Sequence, residues 1–149
     1  MISRYGLEIR GATNVDAQGL NDLLLTAGHS ASLPVSAQRL NALRQESGTI
    51  LIAAEWGPPI GLVELHWYRT LRGDQPTAQI TMLLVAPSER RRGIGRLLVK
   101  AAAQTARLAG CNDLELLAAP DDHNLLAFCS ASGFTEAGPH FVRPLRKKG

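Results

Sequence analysis

The sequence predicts an α/β fold in which one mixed, mostly antiparallel sheet is flanked by about four helices. Three observations predict it. Apolar, partly β-branched runs at 49–54, 60–67 and 78–85 follow one another with turn residues between them. A long apolar stripe comes next, with Ile94, Leu97, Leu98, Ala101, Ala102, Thr105 and Leu108 at three- and four-residue intervals. A further strand-like run at 113–118 follows that helix, so the meander passes into a βαβ crossover.

Residues 5–10 can form a short first strand. Over 14–27, Leu20, Leu23, Leu24 and Ala27 recur at helical spacing, with Asn14 as the expected cap. Pro34 introduces a second helix carrying Leu40 and Leu43, which ends before Gly48. Trp56-Gly57-Pro58-Pro59 makes the runs at 49–54 and 60–67 a hairpin. A loop with Arg72-Gly73-Asp74 and Pro76 leads to the run at 78–85. Gly110 stops the long helix. A short helix at 123–132 is stopped by Gly133, and Phe134 and Phe141-Val142 mark two final strand pieces whose exposed edges allow a homodimer.

The 149 residues suit one domain, 1–149, with neither repeat nor long linker. At 45% apolar and 19% charged, the chain has the balance of a soluble globular protein. Its apolar runs fall far short of the roughly 18 residues of a membrane span. The start, MISRYGLEIR, has no apolar signal core, so a cytoplasmic location is expected and no membrane partner. Cys111 and Cys129 show no zinc-site grouping, so no metal is expected. The net charge of +3 is concentrated in part at Arg143, Arg146, Lys147 and Lys148, which read as a solvated tail. Without interleaved aromatics or a helix-turn-helix, nucleic acid is not an expected partner.

The most informative segment joins the third run to the long helix. Leu83-Leu84-Val85 leads through Pro87 to Arg90-Arg91-Arg92-Gly93-Ile94-Gly95-Arg96. A buried strand, a glycine turn and a helix start place free backbone N–H groups, the positive helix end and arginines at one spot. Glycines there admit close approach of a phosphate to the backbone, and arginines add charge-assisted bonds. The competing reading is a tight helix-start turn with a solvated Arg cluster.

This segment resembles the acyl-CoA signature of the GNAT superfamily of N-acetyltransferases, Q/R-x-x-G-x-G/A, with Arg90 at its first position. The element order and the Phe128…Gly133-Phe134 ending extend the resemblance over most of the chain. It implies a GNAT-like fold and transfer of an acetyl group from acetyl-CoA to an amine acceptor within a ternary complex. It also implies that the strand at Leu83, Leu84 and Val85 splays from its neighbour and pairs its freed backbone with the pantetheine arm. An N–H near Leu83 would polarise the thioester carbonyl. The resemblance puts Asp122 where many relatives carry an Asn that contacts the cofactor arm; Asn124, two residues on, substitutes for it if the helix is slightly offset, and Phe128 belongs to the family's ending.

The family often places a Glu six residues before the valine matched to Val85, and a Tyr as general acid after the Phe of the ending. Here these positions hold Gln79 and Cys129. Glu64 and His66, two apart on one strand and so on one face, are the candidate replacement bases; the competing readings are a solvated sheet face and a water chain that deprotonates the amine without a dedicated base. A reference thiol pKa of about 8.5 would let Cys129 protonate the leaving thiolate, while a short buried Cys is also ordinary packing. The resemblance places the acceptor among His29, Ser30, Ser32, Tyr68 and the 69–74 loop; Trp67 or Tyr68 stacks on it or caps the core. No dense acidic run marks a polycationic acceptor. With Gln79 and Cys129 at those positions, the alternative is a non-catalytic acyl-CoA-binding module.

Overall fold

The structure, a computed structural model, describes residues 2–4, 6–28 and 34–146. Contacts divide the chain into two compact units, Met1–Leu117 and Ala118–Gly149, taken in turn.

The first unit is built on six strands in sequence order: β1 (Ile2–Arg4), β2 (Leu7–Gly11), β3 (Gly48–Glu55), β4 (Pro59–Tyr68), β5 (Thr77–Val85) and β6 (Asp113–Leu116). All neighbours are antiparallel except β5 and β6, which are parallel and joined by the crossover helix α3 (Ile94–Leu108). Two helices, α1 (Ala17–Thr26) and α2 (Ala37–Gln45), precede β3. The expected α/β fold with a mostly antiparallel sheet is therefore observed.

Strand alternation sends side chains to two cores. On one face Leu51, Ala53, Val63, Leu65, Ala78 and Ile80 meet Ile94, Leu98, Ala101, Ala102 and Ala106 of α3. On the other, Ile52, Ala54, Leu62 and Leu84 meet Leu20, Leu23 and Leu40 of α1 and α2. Gly61 lets α3 lie close: a Cβ there would come within 3.1 Å of Leu98 Cδ1 and 3.3 Å of Ile94 Cγ2. Among the described residues no helix is long and apolar enough to cross a membrane.

Some boundaries differ from the sequence reading. The first strand is two, β1 and β2, turning at Gly6 with φ +83°; Tyr5 lies outside the described residues. A 3-10 turn, Asn14–Asp16, precedes α1, and Thr13 rather than Asn14 caps it. The reason is Asp16: its carboxylate takes the Thr13 N–H at 2.7 Å and the Arg10 guanidinium at 2.8 and 2.9 Å, which draws the chain in one residue earlier.

The second unit contains α4 (His123–Ala131), capped by Asp122, whose Oδ1 accepts the Leu125 N–H at 3.1 Å. It ends at Gly133, φ +89°, with the Phe134 N–H donating to the Cys129 carbonyl. The expected strand pieces at Phe134 and Phe141-Val142 are absent: residues 134–146 form no strand, and Phe141 and Val142 are exposed. Pro139 and Pro144 lack ladder donors, and Gly138 at φ +118° leaves extended geometry. Lys147 and Lys148 lie outside the described residues.

Candidate functional site

The turn into α3 is built from backbone in the left-handed region. Arg91 has φ +70° and Gly93 φ +76°, alternating with the extended Arg90 at φ −67° and ψ 157°. A left-handed arginine is a strained choice, which bends successive N–H groups toward one side. The first bond from the helix interior back to the turn is Leu97 N–H to Gly93 C=O at 3.2 Å. The N–H groups of residues 92 to 96 therefore have no acceptor among the described residues. The Ile94 side chain is fully buried under the sheet, so the free N–H groups are anchored by core packing.

The arginines divide by role. Arg92 is held by Glu55 at 2.7 Å and by Glu89, and these carboxylates push its guanidinium further toward the charged form. It braces the turn against the β3–β4 hairpin. Arg90, Arg91 and Arg96 are exposed and make no bond to a described residue.

The strand feeding this turn changes phase. Glu64 pairs with Met82 but Leu65 with Ile80, so Thr81 is an extra residue, a β-bulge. Before it Ala78 and Ile80 face α3; after it Leu83 and Val85 do. In a strand of given direction, the face of a side chain also sets the edge toward which its N–H and C=O point. Ile80 C=O accepts from Leu117 N–H on the β6 side, whereas Ala86 N–H donates to Ile60 on the β4 side. Leu83 and Val85, on the face of Ile80, thus turn their backbone groups toward β6. Yet the β5–β6 ladder ends at Ile80–Leu116. Residues 81–85 have a free edge within the first unit, and it begins where the bulge is. Leu84 differs: it is buried on the opposite face and pairs with Leu62, so its backbone points to β4.

The stretch that holds this strand, turn and helix is matched in sequence. The model of the "Acetyltransferase (GNAT) family" matches residues 19–134. The chain belongs to the acetyltransferase (GNAT) family. Solved structures agree with this fold. A protein from Agrobacterium tumefaciens str. C58, named as an acetyltransferase, is 27% identical with TM-score 0.81, covering 92% of this chain and 99% of its own. Aminoglycoside N-acetyltransferase AAC(6')-Iy, solved with CoA, is 20% identical with TM-score 0.78, covering 99% and 100%. The aminoglycoside acetyltransferase meta-AAC0020 from an uncultured soil metagenomic sample, solved with sisomicin, is 21% identical with TM-score 0.80, covering 95% and 97%. No curated protein matches the chain in sequence.

On this GNAT scaffold Glu64 and His66 do share one face of β4, as the strand period requires. His66 Nε2 lies 2.9 Å from Glu64 Oε2. His66 also lines an open cleft of about 280 Å³ with Arg39, Ala42, Leu43 and Glu46 of α2 and the residue following it. Gly48 makes room there, since a Cβ would stand 3.0 Å from His66 Nδ1 and 2.8 Å from Leu43. Trp67 packs against the α3-side core, while Tyr68 turns to the opposite face, 41% exposed, and donates to Glu115 Oε1 at 2.7 Å. Gln79 Nε2 donates to the same oxygen at 3.2 Å. His29, Ser30 and Ser32 lie outside the described residues.

In the second unit Asn124 is exposed near the start of α4, and Phe128 and Cys129 are half-buried. Burial, reinforced by the Asp122 charge, raises the Cys129 thiol above its usual value, which keeps it protonated. Asp122 is occupied in capping α4. Among the described residues no group of three or more His, Cys, Asp or Glu could hold a metal ion.

Glu55 and Glu115 escaped the sequence reading. Glu55 ends β3, far from Arg92 in sequence. Glu115 was legible only as parity: on β6 it alternates with Leu114 and Leu116, which face the α3 core.

Proposed function

We propose that this acetyltransferase moves the acetyl group of acetyl-CoA to a primary amine by direct attack in a ternary complex, with 1–149 acting as one catalytic domain. The observation that carries the reading is the continuity of donors. A strand edge at Leu83 and Val85 that is free among the described residues runs into a turn whose N–H groups lack acceptors among them. The N–H groups of Arg92, Gly93, Ile94, Gly95 and Arg96 fit a diphosphate, with Arg90, Arg91 and Arg96 free to meet its outer charges. Leu83 and Val85 fit the pantetheine amides as an added strand, and the Leu83 N–H fits the thioester oxygen. On the resemblance, Asn124 and Phe128 complete the cofactor contacts.

Bound acetyl-CoA supplies the acetyl group. The residues of the chain manage the protons. The acceptor must attack as a free amine, and the His66 imidazole is the base that takes its proton. Glu64, bonded at Nε2, orients that ring, and Nδ1 lies on the side of Gly48 and Leu43, so the proton reaches it through water in the cleft rather than directly from the amine. The cleft between α2 and β4 gives the acceptor its approach. The proton for the leaving thiolate is assigned to Cys129 on the resemblance alone.

Thermal shift with CoA and acetyl-CoA tests the reading. Binding at about a hundredfold excess over Kd stabilises a protein by about 2.7 kcal/mol, a shift of several degrees. Gly93→Val, a β-branched residue at φ +76°, is expected to abolish the shift while the free protein still folds. A wild-type protein with no shift, or a Gly93→Val protein with the full shift, would refute the cofactor site.

A further inference from the structure

The free edge of β5 opens one ladder step beyond a carboxylate that three strands hold in place. Glu115 of β6 stands in register with Gln79 of β5, and the ladder ends at the next pair, Ile80–Leu116. Its Oε1 takes both Tyr68 OH, from β4, and Gln79 Nε2. Its Oε2 has no partner among the described residues. Neither donor is cationic, so the carboxylate is oriented without being neutralised. The Glu115 bond, with some burial, holds the Tyr68 phenol above its ordinary value, which keeps it a donor throughout the neutral range. Glu115 and Gln79 share the face of the sheet that carries Glu64 and His66, since Leu114, Leu116, Ala78 and Ile80 all point to the α3 side.

We propose that Glu115 is the residue that recognises the acceptor, its Oε2 receiving the primary ammonium group before the proton is lost. This rests on the acetyl-transfer reading above and names the acceptor class: a cationic amine, in preference to a neutral nucleophile. One oxygen is spent on aiming the group and the other is left for the substrate. A purely structural Glu would be replaceable here, because the amide oxygen of Gln accepts the same two hydrogen bonds.

Glu115→Gln in the full chain tests the proposal. Thiol release from acetyl-CoA is followed with 1,4-diaminobutane, spermidine, a peptide with a free N-terminal alanine, and sisomicin. For the amines that the wild type acetylates, KM for the amine should rise about tenfold or more, with KM for acetyl-CoA and the CoA thermal shift unchanged. Glu115→Asp should recover part of the loss. An unchanged amine KM in Glu115→Gln overturns the proposal. So does a joint change in both KM values with lowered stability, which marks a structural role. A wild-type protein that binds CoA yet acetylates none of the four amines overturns it too, leaving the cofactor reading intact. Failure to bind CoA instead removes the acetyl-transfer reading first.

Discussion

Glu64 and His66 stand two apart on β4, both half-buried. Gly48 pairs directly with His66 across the β3–β4 ladder, and its missing side chain leaves the ring beside the end of α2, lining the cleft. A glycine that relieves crowding at one imidazole ties packing to chemistry at the level of single atoms. A side-chain base that must be unprotonated to act gives kcat/KM an acid limb. His66→Ala should remove that limb and lower kcat by about a hundredfold. Glu64→Gln should shift the limb with a smaller loss of rate. A pH–rate profile identical to wild type in both variants would show that the pair is only a solvated patch.

At the scale of elements, the decisive feature is the bulge at Thr81. It rotates the last residues of β5 so that Leu83 and Val85, rather than Met82 and Leu84, carry the outward edge. The same residue count aims the strand at the α3 turn. Deleting Thr81 would remove the extra residue, so that Met82 follows Ile80 directly and Leu83 and Val85 keep the α3 face in a regular strand. Neither core would change its residues, and the outward edge would stay with Leu83 and Val85. The CoA thermal shift and the denaturation midpoint should therefore both stay close to wild type. Loss of CoA binding together with a large drop in the midpoint would show that more than this one residue sets the phase.

For the whole first unit, the two cores that join sheet to helices are supplemented by a polar tie, Arg10 to Asp16. Asp16 is 6% exposed, and Arg10 on β2 reaches it with two hydrogen bonds just before α1. The Arg10 bond holds the Asp16 carboxyl below its ordinary value, opposed by burial and helped by Thr13 N–H. A carboxyl depressed by folding contributes stability that is complete above its unfolded pKa of about 3.9. That contribution fades as pH falls below about 4, through the lower folded value. Asp16→Asn should therefore cost roughly 2 kcal/mol at pH 7, less than a fully buried pair because Arg10 keeps some exposure. Its stability should also fall less steeply than wild type on acidification. Parallel urea midpoints for the two proteins from pH 7 to pH 3 would contradict this.

Much of this molecule was legible in local pattern. The apolar stripe from Ile94 announces α3, and Trp56-Gly57-Pro58-Pro59 announces the β3–β4 hairpin. Gly93 and Gly95 after a buried strand announce the family, because periodicity, turn chemistry and a short motif are set by neighbours in the chain. The convergence of Tyr68, Gln79 and Glu115 was not legible, nor was the capture of Arg92 by Glu55 or the phase change at Thr81. Each depends on register between strands distant in sequence, and register is settled only when two cores fill at once. The tail at Phe141-Val142 shows the converse: β-forming residues without a ladder partner make no strand. Local sequence thus named the cofactor turn and the family. The tertiary fold alone chose which backbone groups stay unpaired among the described residues and which carboxylate Tyr68 and Gln79 hold by one oxygen, since both are outcomes of packing between strands rather than of any one strand.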